Sequence, residues 1–146
     1  MGLLEAIQGN ICYLDTNIWI YALEGFPAYA PALTELLTQI DQGNLQGITS
    51  ELTLAETLVR PLQLGNQQQQ LMYQQAIANA PHLSIIPVRR DLLIQAAKLR
   101  ATTKLKLPDA IHAATALANH CTSFLTNDPQ FKTVPELTVI LLSEVA

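Results

Sequence analysis

Short apolar runs alternate along the chain with longer stretches in which apolar residues recur three and four positions apart. The runs are typical of buried strands, and the 3-4 spacing is typical of helices that bury one face. The pattern predicts strands at 11–14, 47–49, 83–88, 123–126 and 138–142. It predicts helices at 17–24, 30–42, 51–60, 67–79, 90–103 and 108–119, with a single helical turn at 3–8.

Polar and proline residues mark several helix boundaries. Ser50 precedes the helix at 51–60, where its hydroxyl can accept a hydrogen bond from the open amide groups. Pro61 is predicted to end that helix, because proline lacks an amide proton and clashes with the preceding turn. The alternation of strands and helices predicts an α/β fold in one domain spanning 1–146, with a mostly parallel sheet of about four to five strands and helices on both faces.

The composition is that of a protein with a well-filled core. Of the 146 residues, 49% are hydrophobic and 14% are charged, and the formal net charge of −4 is unexpected for a nucleic-acid binder. Cys12 and Cys121 lie in apolar segments without metal-ligand spacing, so we expect reduced core thiols. No apolar run is long enough to span a membrane and the first residues lack the features of a leader peptide, so we expect a cytoplasmic protein.

One carboxylate interrupts a helix face that should be buried. Glu56 shares a face with Leu52 and Val59, and that stripe is predicted to point into the core. A carboxylate on an apolar face costs free energy unless something compensates for it, which makes this position informative. Glu51 differs, because it lies in the first helical turn, where the helix dipole favours any acid.

Three further acids stand where strands end or helices begin. Asp15 and Asp128 come after the first and fourth predicted strands, and Asp109 lies in the first turn of an apolar helix. Taken singly, Asp109 also fits a dipole-favoured acid, and Asp128 also fits a turn. Taken together with Glu56, they can meet at one edge of a parallel sheet, where such sheets bind ligands.

A cluster of carboxylates favours a hard cation. Neighbouring carboxylates repel one another and raise some of their pKa values, and a divalent ion relieves this repulsion. Oxygen-only ligands suit Mg²⁺ or Mn²⁺, and no histidine or cysteine pattern competes for zinc. Such an ion can bind a phosphodiester and lower the pKa of an attacking water. The four acids therefore predict a divalent-metal site that cleaves phosphodiester bonds.

Four short motifs carry these acids in order along residues 11–142. They are Leu14-Asp15-Thr16-Asn17, Leu54-Ala55-Glu56, the segment from Asp109 to Ala116, and Leu125-Thr126-Asn127-Asp128. They resemble the ordered motifs of PIN-domain ribonucleases, most closely those of the toxins of VapC-type toxin–antitoxin modules. The resemblance implies a PIN-like three-layer α/β/α fold and a Mg²⁺- or Mn²⁺-dependent endoribonuclease.

The resemblance also implies roles for the site and for partners. Asp15, Glu56, Asp109 and Asp128 would hold the metal directly or through water. The polar neighbours would support the first and last carboxylates: Thr16, Asn17, Thr126 and Asn127. The partners would be an RNA substrate, a second copy in a homodimer, and an antitoxin whose tail covers the active groove. An N-terminal extension at 1–10 and a glutamine-rich helix at 67–79 lie outside the motif set.

RNA binding needs positive charge, and six of the eight basic residues fall between 89 and 106. They are Arg89, Arg90, Lys98, Arg100, Lys104 and Lys106. They form either a basic strip next to the predicted site or an ordinary solvated helix face. His112 follows Asp109 by nearly one helical turn and could contact it, and we expect a core or supporting histidine there instead of a catalytic base.

Other readings of the sequence compete with a nuclease. A haloacid-dehalogenase-like phosphatase would need a second aspartate two residues after Asp15, but position 17 is Asn17. A receiver domain would need paired acids near the N-terminus and a late strand-end lysine, and neither is present. A PIN-like module that only binds RNA or protein remains the alternative, although the complete acidic set disfavours it. Four aromatic residues would form a partner surface or part of the core: Trp19, Tyr21, Phe26 and Tyr29.

Overall fold

The computed structural model describes all residues from Met1 to Ala146 and contains one five-stranded sheet. The strands are β1 (Ile11–Leu14), β2 (Gln46–Ser50), β3 (Leu83–Ile86), β4 (Ser123–Thr126) and β5 (Val139–Leu141). Their order is β3-β2-β1-β4-β5, and every neighbouring pair is parallel. The predicted parallel sheet is confirmed, with its first strand in the centre.

Eight α-helices and one 3-10 helix connect and flank the strands. They are α1 (Leu3–Ala6), α2 (Thr16–Leu23), α3 (Ala30–Asp41), α4 (Glu51–Gln63), α5 (Gln67–Ala76), α6 (Arg90–Thr102), α7 (Leu107–Ala118) and α8 (Leu142–Val145), with the 3-10 helix at Pro129–Thr133. None of the helices combines the length and apolar character needed to cross a membrane.

The core consists of two hydrophobic clusters, one on each face of the sheet. Cys12 and Leu14 belong to the cluster that includes α2 and α3, whereas Tyr13 belongs to the cluster with α6 and α7. Successive strand residues point to opposite faces, so β1 supplies both clusters. The predicted three-layer α/β/α arrangement is therefore confirmed.

The predicted buried face of α4 is wrong. Val59 is 52% exposed, and the residues that α4 buries are Thr53, Thr57 and Pro61. The threonines enter the core because their hydroxyls find partners: Thr53 Oγ1 lies 2.7 Å from Thr49 Oγ1, and Thr57 donates to Leu54 O at 3.0 Å. Burying a hydroxyl costs little when it is hydrogen-bonded, which a polarity pattern does not reveal.

Pro61 does not end α4, which continues to Gln63. The proline ring is buried one turn beyond Thr57, and the helix closes after it with Leu64 N donating to Arg60 O at 3.0 Å. A proline so near the end removes one hydrogen bond from the last turns, and burial of its ring offsets that loss.

Other boundaries differ by a few residues. β3 ends at Ile86, before Pro87, which has no amide proton for the ladder, and α5 ends at Ala76 instead of 79. The 3-10 helix and α8 were not predicted. The N-terminal extension is tied to the sheet, because Gln8 donates from its amide to Ser123 Oγ at 2.8 Å and accepts from the same hydroxyl at 2.9 Å.

Candidate active site

The four predicted acids come from four elements around the carboxyl edge of the sheet. Asp15 follows β1 as the N-cap of α2. Asp128 follows β4 and caps the 3-10 helix, where its carboxylate accepts a hydrogen bond from Gln130 N at 3.0 Å. Glu56 lies in the second turn of α4, which leaves the end of β2, and Asp109 lies in the first turn of α7.

Asp15 is the most deeply placed of these acids. It is 5% exposed, and its two carboxylate oxygens accept hydrogen bonds from Thr16 N at 2.9 Å and from Thr126 Oγ1 at 2.7 Å. Thr126 Oγ1 also accepts from Asp128 N at 3.1 Å, so one hydroxyl joins the ends of β1 and β4. Burial outweighs these hydrogen bonds and raises the pKa of Asp15.

Glu56 is held by a hydroxyl and by an imidazole. Its Oε1 accepts a hydrogen bond from Thr16 Oγ1 at 2.8 Å and lies 2.6 Å from His112 Nε2. Burial alone would raise the pKa of Glu56, but the hydrogen bond and charge of His112 outweigh it, so the pKa lies below its usual value. Glu56 therefore stays ionised at neutral pH.

His112 is 1% exposed and contacts different groups from those predicted. Its ring lies between Glu56 and Tyr13, and Nε2 is also 3.1 Å from Thr16 Oγ1 and 3.9 Å from Asp15 Oδ1. The structure shows no hydrogen bond to Asp109. Burial lowers the pKa of His112, but the hydrogen bond to Glu56 and the nearby acids raise it by more. His112 thus occupies a supporting position inside the acidic cluster.

The carboxylate of Asp109 accepts no hydrogen bond that compensates its charge. It is half-buried, and burial together with the negative charges of Asp15 and Asp128 raises its pKa to about 6. His112 offsets part of this shift and Glu56 adds to it. The charges of the other three acids thus act on Asp109 across the carboxyl edge of the sheet.

The predicted supporting residues divide into two groups. Thr16 contacts Asp15, as predicted. Thr126 was predicted to support the carboxylate of Asp128, but its hydroxyl donates to Asp15 and accepts from the amide of Asp128. Asn127 instead accepts a hydrogen bond from Ser143 N at 3.0 Å through its Oδ1, which ties the end of β4 to α8. Asn17 makes no hydrogen bond, and its Oδ1 is buried without a partner. The two asparagines therefore do not make the predicted contacts with the carboxylates of Asp15 and Asp128.

The donor set fits a hard divalent cation in chemistry but is not gathered around one. No group of three or more acidic, histidine or cysteine side chains lies close enough together to hold an ion as it stands. Two observations favour a cation nonetheless: Asn17 Oδ1 is a buried acceptor without a partner, and burial together with repulsion from neighbouring acids raises the pKa of Asp109. Oxygen donors and repelling carboxylates are the environment that Mg²⁺ and Mn²⁺ relieve.

Tyr13 is a site residue that sequence reasoning missed. The apolar pattern of 11–14 predicts only that Tyr13 lies in a buried strand, but its hydroxyl lies 2.6 Å from His112 Nδ1. The alternation of side chains along β1 could have revealed this role, because Tyr13 points to the same face of the sheet as Asp15, whereas Leu14 points to the opposite face.

The six basic residues between 89 and 106 are all exposed. Arg89 pairs with Asp91 at 3.6 Å, and Arg100 donates to Leu105 O at 2.8 Å. Lys104 and Lys106 precede α7, the helix that carries Asp109. A role for these residues in RNA binding stays a prediction.

The aromatic residues are split between core and surface. Trp19 is 2% exposed and belongs to the core. The other three form an aromatic cluster, with ring centroids 5.3 Å apart for Tyr21 and Phe26 and 5.0 Å apart for Tyr21 and Tyr29. Phe26 is 47% exposed, so this cluster, without Trp19, is the part that a partner can reach.

Solved structures with this fold include toxin–antitoxin proteins. A chain of VapBC2 from Rickettsia felis, bound to a DNA fragment from their promoter, is 22% identical with a TM-score of 0.70 over 90% of this chain and 98% of that chain. DNA-bound VapBC from Salmonella typhimurium is 16% identical with a TM-score of 0.71 over 92% and 99%. VapC20 of Mycobacterium tuberculosis, a sarcin-ricin loop cleaving toxin, is 17% identical with a TM-score of 0.67 over 83% and 92%.

At these identities the likeness shows a shared fold. No curated protein sequence matches the chain. The family model for the PIN domain matches residues 12–137, which include all four acids and the elements that carry them. The match spans most of the chain, and the chain therefore belongs to the PIN-domain family.

Proposed function

We propose that this chain is a metal-dependent endoribonuclease, and that it is the toxin of a toxin–antitoxin pair. The observation that carries the proposal is the placement of Asp15, Glu56, Asp109 and Asp128 at the carboxyl edge of the sheet, where burial and the negative charges of its neighbours raise the pKa of Asp109 to about 6. Repulsion of this kind is unfavourable in the free protein and is relieved by a cation. Membership of the PIN-domain family supports the same reading.

Each acid has a distinct task in this proposal. Asp15 is fixed by Thr16 and Thr126, so it offers a rigid carboxylate. Glu56 is ionised and has one oxygen engaged, whereas Asp109 has no comparable partner and would ionise on binding the cation. Mg²⁺ or Mn²⁺ held by these acids and Asp128 would supply positive charge to the phosphodiester and would acidify the attacking water.

Water is the nucleophile in this reaction. The products are therefore expected to carry 5′-phosphate and 3′-hydroxyl ends, because the ribose 2′-hydroxyl takes no part. His112 is not needed as a base, since both of its ring nitrogens are already engaged. The exposed basic residues between 89 and 106 are proposed to bind the RNA backbone.

The toxin assignment rests on the similar structures. Several are complexes named as VapBC, and one is described as a toxin that cleaves the sarcin-ricin loop. We extend to this chain an antitoxin partner and a homodimer, for which the cluster of Tyr21, Phe26 and Tyr29 offers exposed apolar surface. A cytoplasmic location is part of the same proposal.

The test is cleavage of a mixed set of end-labelled RNAs with Mg²⁺, with Mn²⁺ and with EDTA. Wild-type protein and an Asp41→Asn variant, which changes an exposed acid at the end of α3, should cut in metal and not in EDTA. Asp109→Asn should lose about 100-fold or more, since the ion contributes several kcal/mol to the transition state.

Two results would contradict the proposal. Cutting by all three proteins in EDTA would show contamination or a different site. RNA binding without cleavage in either metal would favour the binding module.

A further inference from the structure

A continuous chain of hydrogen bonds runs from the central strand to one of the candidate metal ligands. Tyr13 is fully buried in β1, and its hydroxyl lies 2.6 Å from His112 Nδ1. On the other side of the ring, His112 Nε2 lies 2.6 Å from Glu56 Oε1. The three residues come from β1, α7 and α4, so this chain joins the core to the site across three elements.

The chemistry of the groups sets the direction of these hydrogen bonds. An ionised carboxylate only accepts, so His112 Nε2 must carry a proton and donate it to Glu56. When the ring is neutral, Nδ1 has no proton and accepts from the Tyr13 hydroxyl; when the ring is cationic, Nδ1 donates to the oxygen of that hydroxyl instead. Glu56 thereby sets the tautomer of His112, and Tyr13 holds the ring from its other side through Nδ1.

The surroundings of Tyr13 make it a rigid anchor. Its ring stacks on Phe124 with centroids 4.9 Å apart and planes inclined by 3°, and Phe124 in turn packs on Phe131 with centroids 4.6 Å apart. None of these rings is exposed. Close-packed side chains of this kind hold one rotamer, so the position of the hydroxyl is fixed by the core.

Only one of the two carboxylate oxygens of Glu56 is hydrogen-bonded. Both hydrogen bonds to this carboxylate, from Thr16 and from His112, go to Oε1. Oε2 has no partner within the chain. Two donors on one oxygen hold the carboxylate plane in place and leave the other oxygen available.

We propose that Tyr13 and His112 are positioning residues: Tyr13 holds the ring of His112, and His112 engages Oε1 of Glu56, so that Oε2 is left free for a divalent ion. The inference rests on the proposed function, since it concerns how one ligand of that site is oriented. Outer groups that orient a ligand in this way contribute measurably to metal affinity.

The first test measures Mn²⁺ affinity by titration calorimetry. Tyr13→Phe keeps the stacked ring and removes only the hydroxyl, so the variant should fold, as circular dichroism can verify, and bind Mn²⁺ about 10-fold more weakly. Tyr73→Phe is the matched control, because Tyr73 is also fully buried and its hydroxyl bonds to Glu24, outside the acidic cluster. This control should bind Mn²⁺ like the wild type.

A double-mutant cycle distinguishes positioning from a general loss of stability. His112→Gln can still donate to Glu56 but offers no ring nitrogen to Tyr13. In that background Tyr13→Phe should change Mn²⁺ affinity by less than about 2-fold, because coupled residues are not additive. Wild-type affinity in Tyr13→Phe, or an equal loss in both backgrounds, would overturn the proposal.

Nitrogen NMR of the imidazole tests the inference without metal. At alkaline pH the ring should carry its proton on Nε2 in both proteins, because Glu56 still accepts there. The unprotonated Nδ1 should shift in Tyr13→Phe, because it loses the hydrogen bond from the hydroxyl. An unchanged Nδ1 resonance in Tyr13→Phe would refute the positioning role. If the wild type binds no Mn²⁺, the proposed metal site fails, while the NMR spectra still decide the roles of Tyr13 and His112.

Discussion

Glu56 on α4 and Asp109 on α7 belong to one acidic cluster, yet their surroundings differ. Glu56 is paired with His112 and Thr16, and its pKa is lowered. Asp109 has no comparable partner, and burial and neighbouring acids raise its pKa to about 6. The charge of Glu56 is therefore compensated in the free protein, whereas the charge of Asp109 is not and would be stabilised by a cation.

The largest expected effect is the response of thermal stability to metal. Mn²⁺ at about 100 times its dissociation constant should stabilise the wild type by about 2.7 kcal/mol. Asp109→Asn should lose most of this gain, because it removes the carboxylate with most to gain. Thermal unfolding with and without Mn²⁺ measures the difference, and an equal gain in both proteins would remove Asp109 from the site.

Removing the charge of Glu56 should destabilise the metal-free protein. Glu56→Gln takes the ionised acceptor from buried His112, and hydrogen bonds to charged groups of this kind are worth about 1.5–3 kcal/mol. We expect a loss toward the lower end of that range, since Glu56 is partly exposed. Urea unfolding with EDTA at neutral pH measures it. A stability unchanged from the wild type would mean that the pairing with His112 contributes nothing.

Asp109→Asn should have the opposite effect on the stability of the metal-free protein. Removing a charge that its neighbours repel should stabilise the fold by about 1 kcal/mol at pH 7.5, after allowing for solvent screening. The same urea titration applies, with Asp41→Asn as a matched exposed change expected to lie within about 0.5 kcal/mol of wild type. Destabilisation by Asp109→Asn would show that its charge is compensated.

The pH dependence gives the smallest and most specific effect. A folded-state pKa of about 6, against 3.8 for an ordinary aspartate, means that the folded protein binds the Asp109 proton more tightly than the unfolded chain does. The stability advantage of Asp109→Asn should therefore be absent below pH 3.8, grow as the pH rises to about 6, and stay constant above it. An advantage that does not vary over this range would assign it to another cause.

Much of the framework could be predicted from the sequence because it depends on runs of apolar residues. Strands β1 and β4 have no competing signal, and both match their predicted bounds. The face of α4 could not be predicted in this way, because Thr53 and Thr57 are buried through hydrogen bonds that depend on tertiary neighbours. The prediction that Pro61 ends α4 was wrong for the same reason, since burial of the proline ring depends on tertiary packing.

The site divides along the same line. Acids at strand ends and helix starts stand out in a sequence, and the motifs order them. The contacts around these acids cannot be seen in the sequence. Tyr13 lies 99 residues from His112 along the chain, and Asn127 accepts a hydrogen bond from the backbone amide of Ser143. Hydrogen-bond partners so far apart in sequence are chosen by the sheet order, which local patterns do not encode.

The hydrogen bond between Thr126 and Asp15 has a consequence for synthesis of the chain. The two residues are 111 positions apart, and β1 needs β4 as its neighbour in the sheet. A growing polypeptide that has not yet released residues 123–128 from the ribosome lacks both this bond and Asp128. The proposed nuclease would thus lack a complete site on the ribosome until residues 123–128 have emerged.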